Sequence, residues 1–126
     1  MSNSTYNLIK NSLDATELRQ QMISSNITNV NTPDYKVNKV DFEDRLKKAY
    51  AGTAMRKTNV RHIGIDNPYE VMPIVTKRTN TTMKENGNNV DIDMEMTDEA
   101  ATTIQYNALV AQLNAKYSML HSVITK

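Results

Sequence analysis

A chain of 126 residues with 39% hydrophobic and 6% aromatic side chains is long enough for one modest domain but thin for a compact core. Its formal charge of +1, from 15 basic and 14 acidic residues, creates no global field toward nucleic acid or an anionic membrane. With no cysteine there is no disulfide, thiolate nucleophile or cysteine metal site. No apolar run approaches the roughly 18 residues of a membrane span. Residues 1–7 lack the basic and apolar regions of a cleaved secretion signal. The expectation is a chain that stays in the cytoplasm or leaves by a route that removes nothing.

Ser2, Asn3, Ser4 and Thr5 suit a helix start, and the spacing predicts a helix over residues 5–31. Ile9, Leu13, Ile23, Ile27 and Val30 fall near one face; Leu8, Ala15, Leu18 and Met22 fall near the opposite one. Thr16 and Gln20 interrupt the first stripe. A helix on a single core shows one apolar stripe, so two imply neighbours on both sides or a face awaiting an assembly partner. Pro33 ends the pattern, because the residue before proline is pushed out of the α region.

A turn follows over residues 32–36, and Val37, Lys39 and Val40 suit a short extended piece. A second helix is expected from Phe42 to about Ala51, capped by Asp41 and stopped by Gly52. Residues 53–86 carry Arg56, Lys57, Arg61, Lys77, Arg78 and Lys84 against Asp66, Glu70 and Glu85. Pro73 splits an apolar run there and restricts it to an edge strand or extended loop. This stretch is expected to be loop-like and mobile, with room for a short hairpin.

Residues 91–124 hold the longest pattern. Asp91 is the expected N-cap, and Asp93, Glu95, Asp98 and Glu99 suit the positive end of a helix dipole. Tyr106, Val110, Leu113, Tyr117, Leu120 and Ile124 form a seam of large side chains at helical spacing. A second row, Ala101, Ile104, Ala108, Ala111, Ala115, Ser118 and Ser122, has the same rhythm in mostly small residues, which let another backbone come close. A helix of about 50 Å, at about 1.5 Å per residue, cannot bury two seams within so short a chain. It wants partners.

Candidate chemistry is sparse. Asp91, Asp93 and Glu95 alternate like calcium ligands, but Met96 stands where the calcium loop needs glycine, so capping is the better reading. His62 and His121 are far apart and His121 has no acidic partner one turn away, so neither makes a catalytic or metal site. Lys57, Arg61, Lys77 and Arg78 could meet phosphates, but Tyr69 is the only aromatic among them, and no groove-entering element accompanies them. The methionines, Met94, Met96 and Met119 among them, suit ordinary core filling as well as an adaptable partner surface. No catalytic residue, cofactor site or metal site is expected.

Asn26, Asn29, Thr32, Pro33, Tyr35 and Lys36 resemble the motif Asn-x-x-Asn-x-x-Thr-Pro-Gly-Tyr-Lys that bacterial flagellar axial proteins carry after their first helix. Residues 40–46 are similar to the segment that follows it in the family's short rod members. Residues 86–91, Gln105, Tyr106 and residues 116–120 are similar to the C-terminal helix of those members. Only about residues 53–84 stay unmatched. One position departs: the motif's glycine is Asp34, which tolerates a left-handed backbone better than most residues but less well than Gly.

The resemblance implies a mainly α fold, with long N- and C-terminal helices paired as an antiparallel coiled-coil-like hairpin around a short helix and an irregular middle. It implies a structural subunit of the flagellar rod, exported unprocessed by the flagellar type III apparatus and stacked into a helical tube that transmits torque. The expected partners are other copies, other flagellar rod proteins and the motor and export base at the proximal end. Nucleic acid, small-molecule substrates and membrane insertion are not expected. Within the hairpin, Leu13, Ile23 and Ile27 should meet the Tyr106–Ile124 seam, while the small-residue row should meet neighbouring subunits. The competing expectation is a cytoplasmic helical adaptor or export chaperone that binds one partner through its last helix.

Overall fold

The computed structural model describes residues 3–54, 67–81 and 84–125. Lys57, Arg61 and His62 lie outside them. Among the described residues, three helices and two short strands occur in the order α1 (Asn3–Thr28), β1 (Asn38–Asp41), α2 (Glu43–Ala54), β2 (Ile74–Lys77) and α3 (Ile92–Ile124), with a 3-10 turn at Pro68–Glu70. The chain is mainly helical, and its long first and last helices pack against each other.

α1 and α3 run antiparallel. Asn26 meets Glu95, Arg19 meets Gln105, and the Tyr6 and Tyr117 rings lie 6.5 Å apart. α3 has 33 residues against 26 in α1, so its C-terminal end outruns its partner. Asp91 caps α3 as its position suggests, its carboxylate accepting from the Asp93 and Met94 amides.

The two stripes of α1 have different partners. Ala15 packs in a core cluster with Phe42, Ala49 and Val71, with Leu46 against it, while α3 lies along the other side. α1 is thus a helix between neighbours. Thr16, which interrupts a stripe, is fully buried because its hydroxyl donates to Leu13 O at 2.8 Å and leaves no free donor in the core.

Three boundaries differ from expectation. α1 ends at Thr28, ahead of the proline, because the Asn29 carboxamide turns back to Ser25 O at 2.8 Å and the chain tightens into turns. α2 begins at Glu43, since Asp41 is committed to strand pairing with Ile74, and Leu46 N bonds Phe42 O. Gly52 does not stop α2, which runs on to Ala54: an isolated glycine costs a helix about 1 kcal/mol but ends it only in the left-handed region.

The sheet also differs from a local hairpin. β2 pairs antiparallel with β1, Asn38 opposite Lys77 and Asp41 opposite Ile74, across all of α2. A strand four residues long gains little alone. Here the outward edge of β1 is covered by the Asn26 side chain, which accepts from Asn38 N and donates to Asn38 O, both at 3.0 Å, as a neighbouring strand would.

Candidate functional site

The residues that sequence reasoning grouped as two separate motifs form one polar lock at the head of the hairpin. Asn26 is 1% exposed and uses its whole carboxamide. Nδ2 donates to Asn38 O and Glu95 Oε2; Oδ1 accepts from Asn38 N and from the Tyr35 hydroxyl at 3.1 Å. Tyr35 in turn accepts from Asn38 Nδ2 and meets Ser25 Oγ. One side chain thereby ties α1, β1 and α3 together, which suits an amide: its planar group offers two N–H donors and a carbonyl oxygen with two lone pairs.

The second half of the lock closes the end of α1. Asn88, buried, donates from Nδ2 to Asn29 O at 2.9 Å and Thr32 O at 2.7 Å, while its Oδ1 accepts from Val90 N. Lys84 Nζ reaches Val30 O, and Lys36 Nζ bonds Gly87 O. Carbonyls of the turn that follows α1 are thus met by a segment more than fifty residues later. Asn89 continues the β1–β2 ladder by inserting its carboxamide between Val37 N and Arg78 O, at 2.7 and 2.6 Å.

Asp34 does adopt a left-handed backbone, φ 58°, and its amide donates to Asn86 O at 2.9 Å. Gly87, at φ 82°, lies against it so closely that an added Cβ would collide with the Asp34 carboxylate. Pro33 and Thr32 are exposed on the outer side of this turn. None of these turn contacts was readable in the sequence beyond the residue types.

Glu95 is the buried carboxylate of the lock. It is 5% exposed, and burial raises its pKa above 4.5 against the lowering effect of the Asn26 bond. Beside it, Arg19 holds Glu43 at 2.7 and 3.0 Å and Gln105 at 3.2 Å, joining α1 to both α2 and α3. Burial raises the Glu43 pKa, but the Arg19 hydrogen bonds and charge outweigh it, and the net shift is downward. No group of three potential metal-ligating side chains occurs among the described residues. No described helix is long and apolar enough to cross a membrane.

The seam between α1 and α3 lies one position round from the expected one. Thr102 is buried, and Gln105, Leu109, Val110, Leu113, Lys116 and Leu120 are half-buried. Of the expected residues, Leu13 and Ile27 are half-buried, Ile23 is buried, and Val110, Leu113 and Leu120 share the seam. Tyr106 is exposed at the edge, and Tyr117 is exposed but meets Tyr6. A phenol at an edge keeps its hydroxyl in water. Ile124 does not pack on α1, being 81% exposed past its start. Leu109 was missed, although Leu109, Leu113, Lys116 and Leu120 repeat the same rhythm. Ala101, Ile104, Ala108, Ala111, Ala115, Ser118 and Ser122 are all exposed, Ile104 at 71%.

The turn and the end of α1 coincide with a family match. The model of flagella basal body rod proteins covers residues 11–36. Over nearly the full length, the chain is 37% identical to the flagellar basal body rod protein FlgB of Bacillus subtilis (strain 168), covering 93% of this chain and 90% of that one. The chain belongs to the FlgB family of flagellar basal body rod proteins. The FlgB of Borreliella burgdorferi is 34% identical, with 90% of each chain covered, and that of Proteus mirabilis (strain HI4320) is 28% identical over 95% and 93%. A FlgB chain is a structural component of the rod, and this is the role and the place of the protein described here. The polar lock is where the head of this FlgB chain joins α1, β1 and α3.

Proposed function

We propose that this rod subunit meets its neighbours through the outer face of α3. The row Ala101, Ile104, Ala108, Ala111, Ala115, Ser118 and Ser122 forms close lateral contacts with other copies and with other rod proteins. The turn 29–36 meets an adjacent subunit, and the proximal end of the assembly meets the motor and export base. The observation that carries this is the outer face of α3: from Ala100 to Ala115 it bears no charge, and the row on it is exposed throughout. An uncharged face of that length on a solvent-facing helix is disfavoured unless another surface covers it.

Torque transmission is then a packing property. Many shallow contacts repeated around a tube resist twist although none is strong alone, and the polar lock keeps each subunit's own helices from shifting against one another. No catalytic step enters this reading. The relatives named above are rod proteins, which leaves a single-partner adaptor without support. Ala108→Glu or Ala111→Glu should abolish motility and rod assembly while the purified chain keeps its helical circular dichroism. Wild-type motility in both variants would overturn the interface.

A further inference from the structure

The loop that completes the lock carries a reactive pair. Of the chain's three glycines only Gly87 follows an asparagine, and Asn86 is exposed. The amide nitrogen after an asparagine can close on that side chain's Cγ, and glycine, lacking a Cβ, leaves the approach open. Three hydrogen bonds bear on this step. Gly87 N donates to Lys84 O at 3.0 Å, which occupies the nucleophile. Asn86 Oδ1 accepts from Asn88 N at 3.2 Å, which polarises the carboxamide carbon. Asn86 O belongs to the same peptide unit as Gly87 N and accepts from Asp34 N at 2.9 Å, so it takes up charge when that nitrogen loses its proton. The Asp34 carboxylate beside Gly87 opposes such an anion, and the Lys36 ammonium on Gly87 O offsets it. The one restraining bond, Gly87 to Lys84, is pinned by the lock. Lys84 N donates to Asn88 O at 3.1 Å, and Asn88 in turn holds Asn29 O and Thr32 O.

We propose that Asn86–Gly87 is a self-modifying site gated by the polar lock. While the lock is closed, Gly87 N stays on Lys84 O; when it opens, this nitrogen attacks Asn86 Cγ. Solvent base takes the Gly87 amide proton, the N–Cγ bond forms, and the Cγ–Nδ2 bond breaks, releasing ammonia that takes its extra proton from water. Water then opens the five-membered imide. Breaking the new N–Cγ bond gives aspartate, and breaking the original peptide bond gives isoaspartate, whose main chain runs through Cβ and Cγ. The net reaction exchanges a carboxamide and water for a carboxylate and ammonium, with no change of oxidation state. An isoaspartyl link adds a methylene to the main chain in a turn whose backbone Asp34, Lys36 and Asn88 all grip. The lock cannot then reclose in its former register, so the change is one-way. This chemistry is a property of the single chain and does not depend on the rod reading.

The purified full-length chain is held in mildly alkaline buffer, and mass-spectrometric peptide mapping follows aspartyl and isoaspartyl products at position 86. Conversion should be many-fold slower in the native chain than in denaturant. The slowing should match, within a few-fold, the protection of the Gly87 amide against hydrogen exchange, since both require the Gly87–Lys84 bond to open. Equal rates with and without denaturant, or slow conversion beside an unprotected Gly87 amide, would overturn the gating. Asn88→Ala should raise the native rate several-fold under conditions where circular dichroism shows its helices intact. An unchanged rate in that folded variant would detach the gate from the lock, and the exchange comparison in the unaltered chain needs no variant at all. Isoaspartyl chains, separated from unreacted ones, should melt at a lower temperature. Equal melting would overturn the one-way consequence.

Discussion

The head and the tail of the hairpin are held by different physics. At the head, Asn26, Tyr35, Asn88 and Asn89 bind backbone and side-chain atoms of α1, β1, β2 and α3 with directed hydrogen bonds. At the tail, α1 and α3 are joined by half-buried Leu113 and Leu120 and by the Tyr6–Tyr117 contact. Hydrogen bonds fix an angle, whereas half-covered apolar seams fix only proximity. The difference teaches how one subunit can be rigid where its helices are joined and still leave surface for its neighbours.

The largest effect should come from breaking the head at its centre. Asn26→Leu removes four hydrogen bonds and leaves Glu95 buried without its donor, a loss of about 3 kcal/mol or more. Thermal unfolding of the purified chain should show it as a fall in Tm well beyond that of any tail variant. Asn88→Ala should cost about 2 kcal/mol, since the Asn29 and Thr32 carbonyls lose their shared donor. At the tail, Leu113→Ala should cost only about 1 kcal/mol, because the side chain is half-covered and its removal leaves a groove open to water instead of a cavity. Equal losses at Leu113 and Asn88 in chemical denaturation would erase the contrast.

Two smaller changes sharpen the comparison within the head. Asp34→Gly should stabilise the chain by up to about 1 kcal/mol, because glycine takes φ 58° without a Cβ penalty. Glu95→Gln tests the buried carboxylate. A carboxyl whose pKa is raised on folding binds its proton more tightly in the folded state, so its contribution to stability is greatest below the unfolded value near 4.5 and is lost as pH rises through the raised folded value. The variant should show a flatter stability profile over that interval. A profile that keeps the same slope would assign the titration to another group.

Much of this contrast was legible beforehand, and the illegible part has a common cause. The helical periods of residues 5–31 and 91–124, the Asp91 cap and the turn at Pro33 are local consequences of side-chain type, and α1 and α3 follow them closely. The partners of Asn88 and Asn89 could not be read from the Asn-rich stretch 86–89, because an asparagine that bonds its own loop and one that bonds a turn more than fifty residues away look alike in sequence. Likewise β2 could not be assigned to β1 while α2 lies between them.

Residue chemistry along the chain determined that this protein would be two long two-faced helices with little core of its own, since 3.6-residue periodicity and capping depend on neighbours a turn away. Tertiary structure alone decided which seam faces inward and that Leu109 belongs to it. It alone joined Asn26 to Glu95 and exposed the tip of α3 past the start of α1. Two adjacent rows on one helix differ in energy only through what lies opposite them. That partner is set by long-range contacts, which no local pattern encodes.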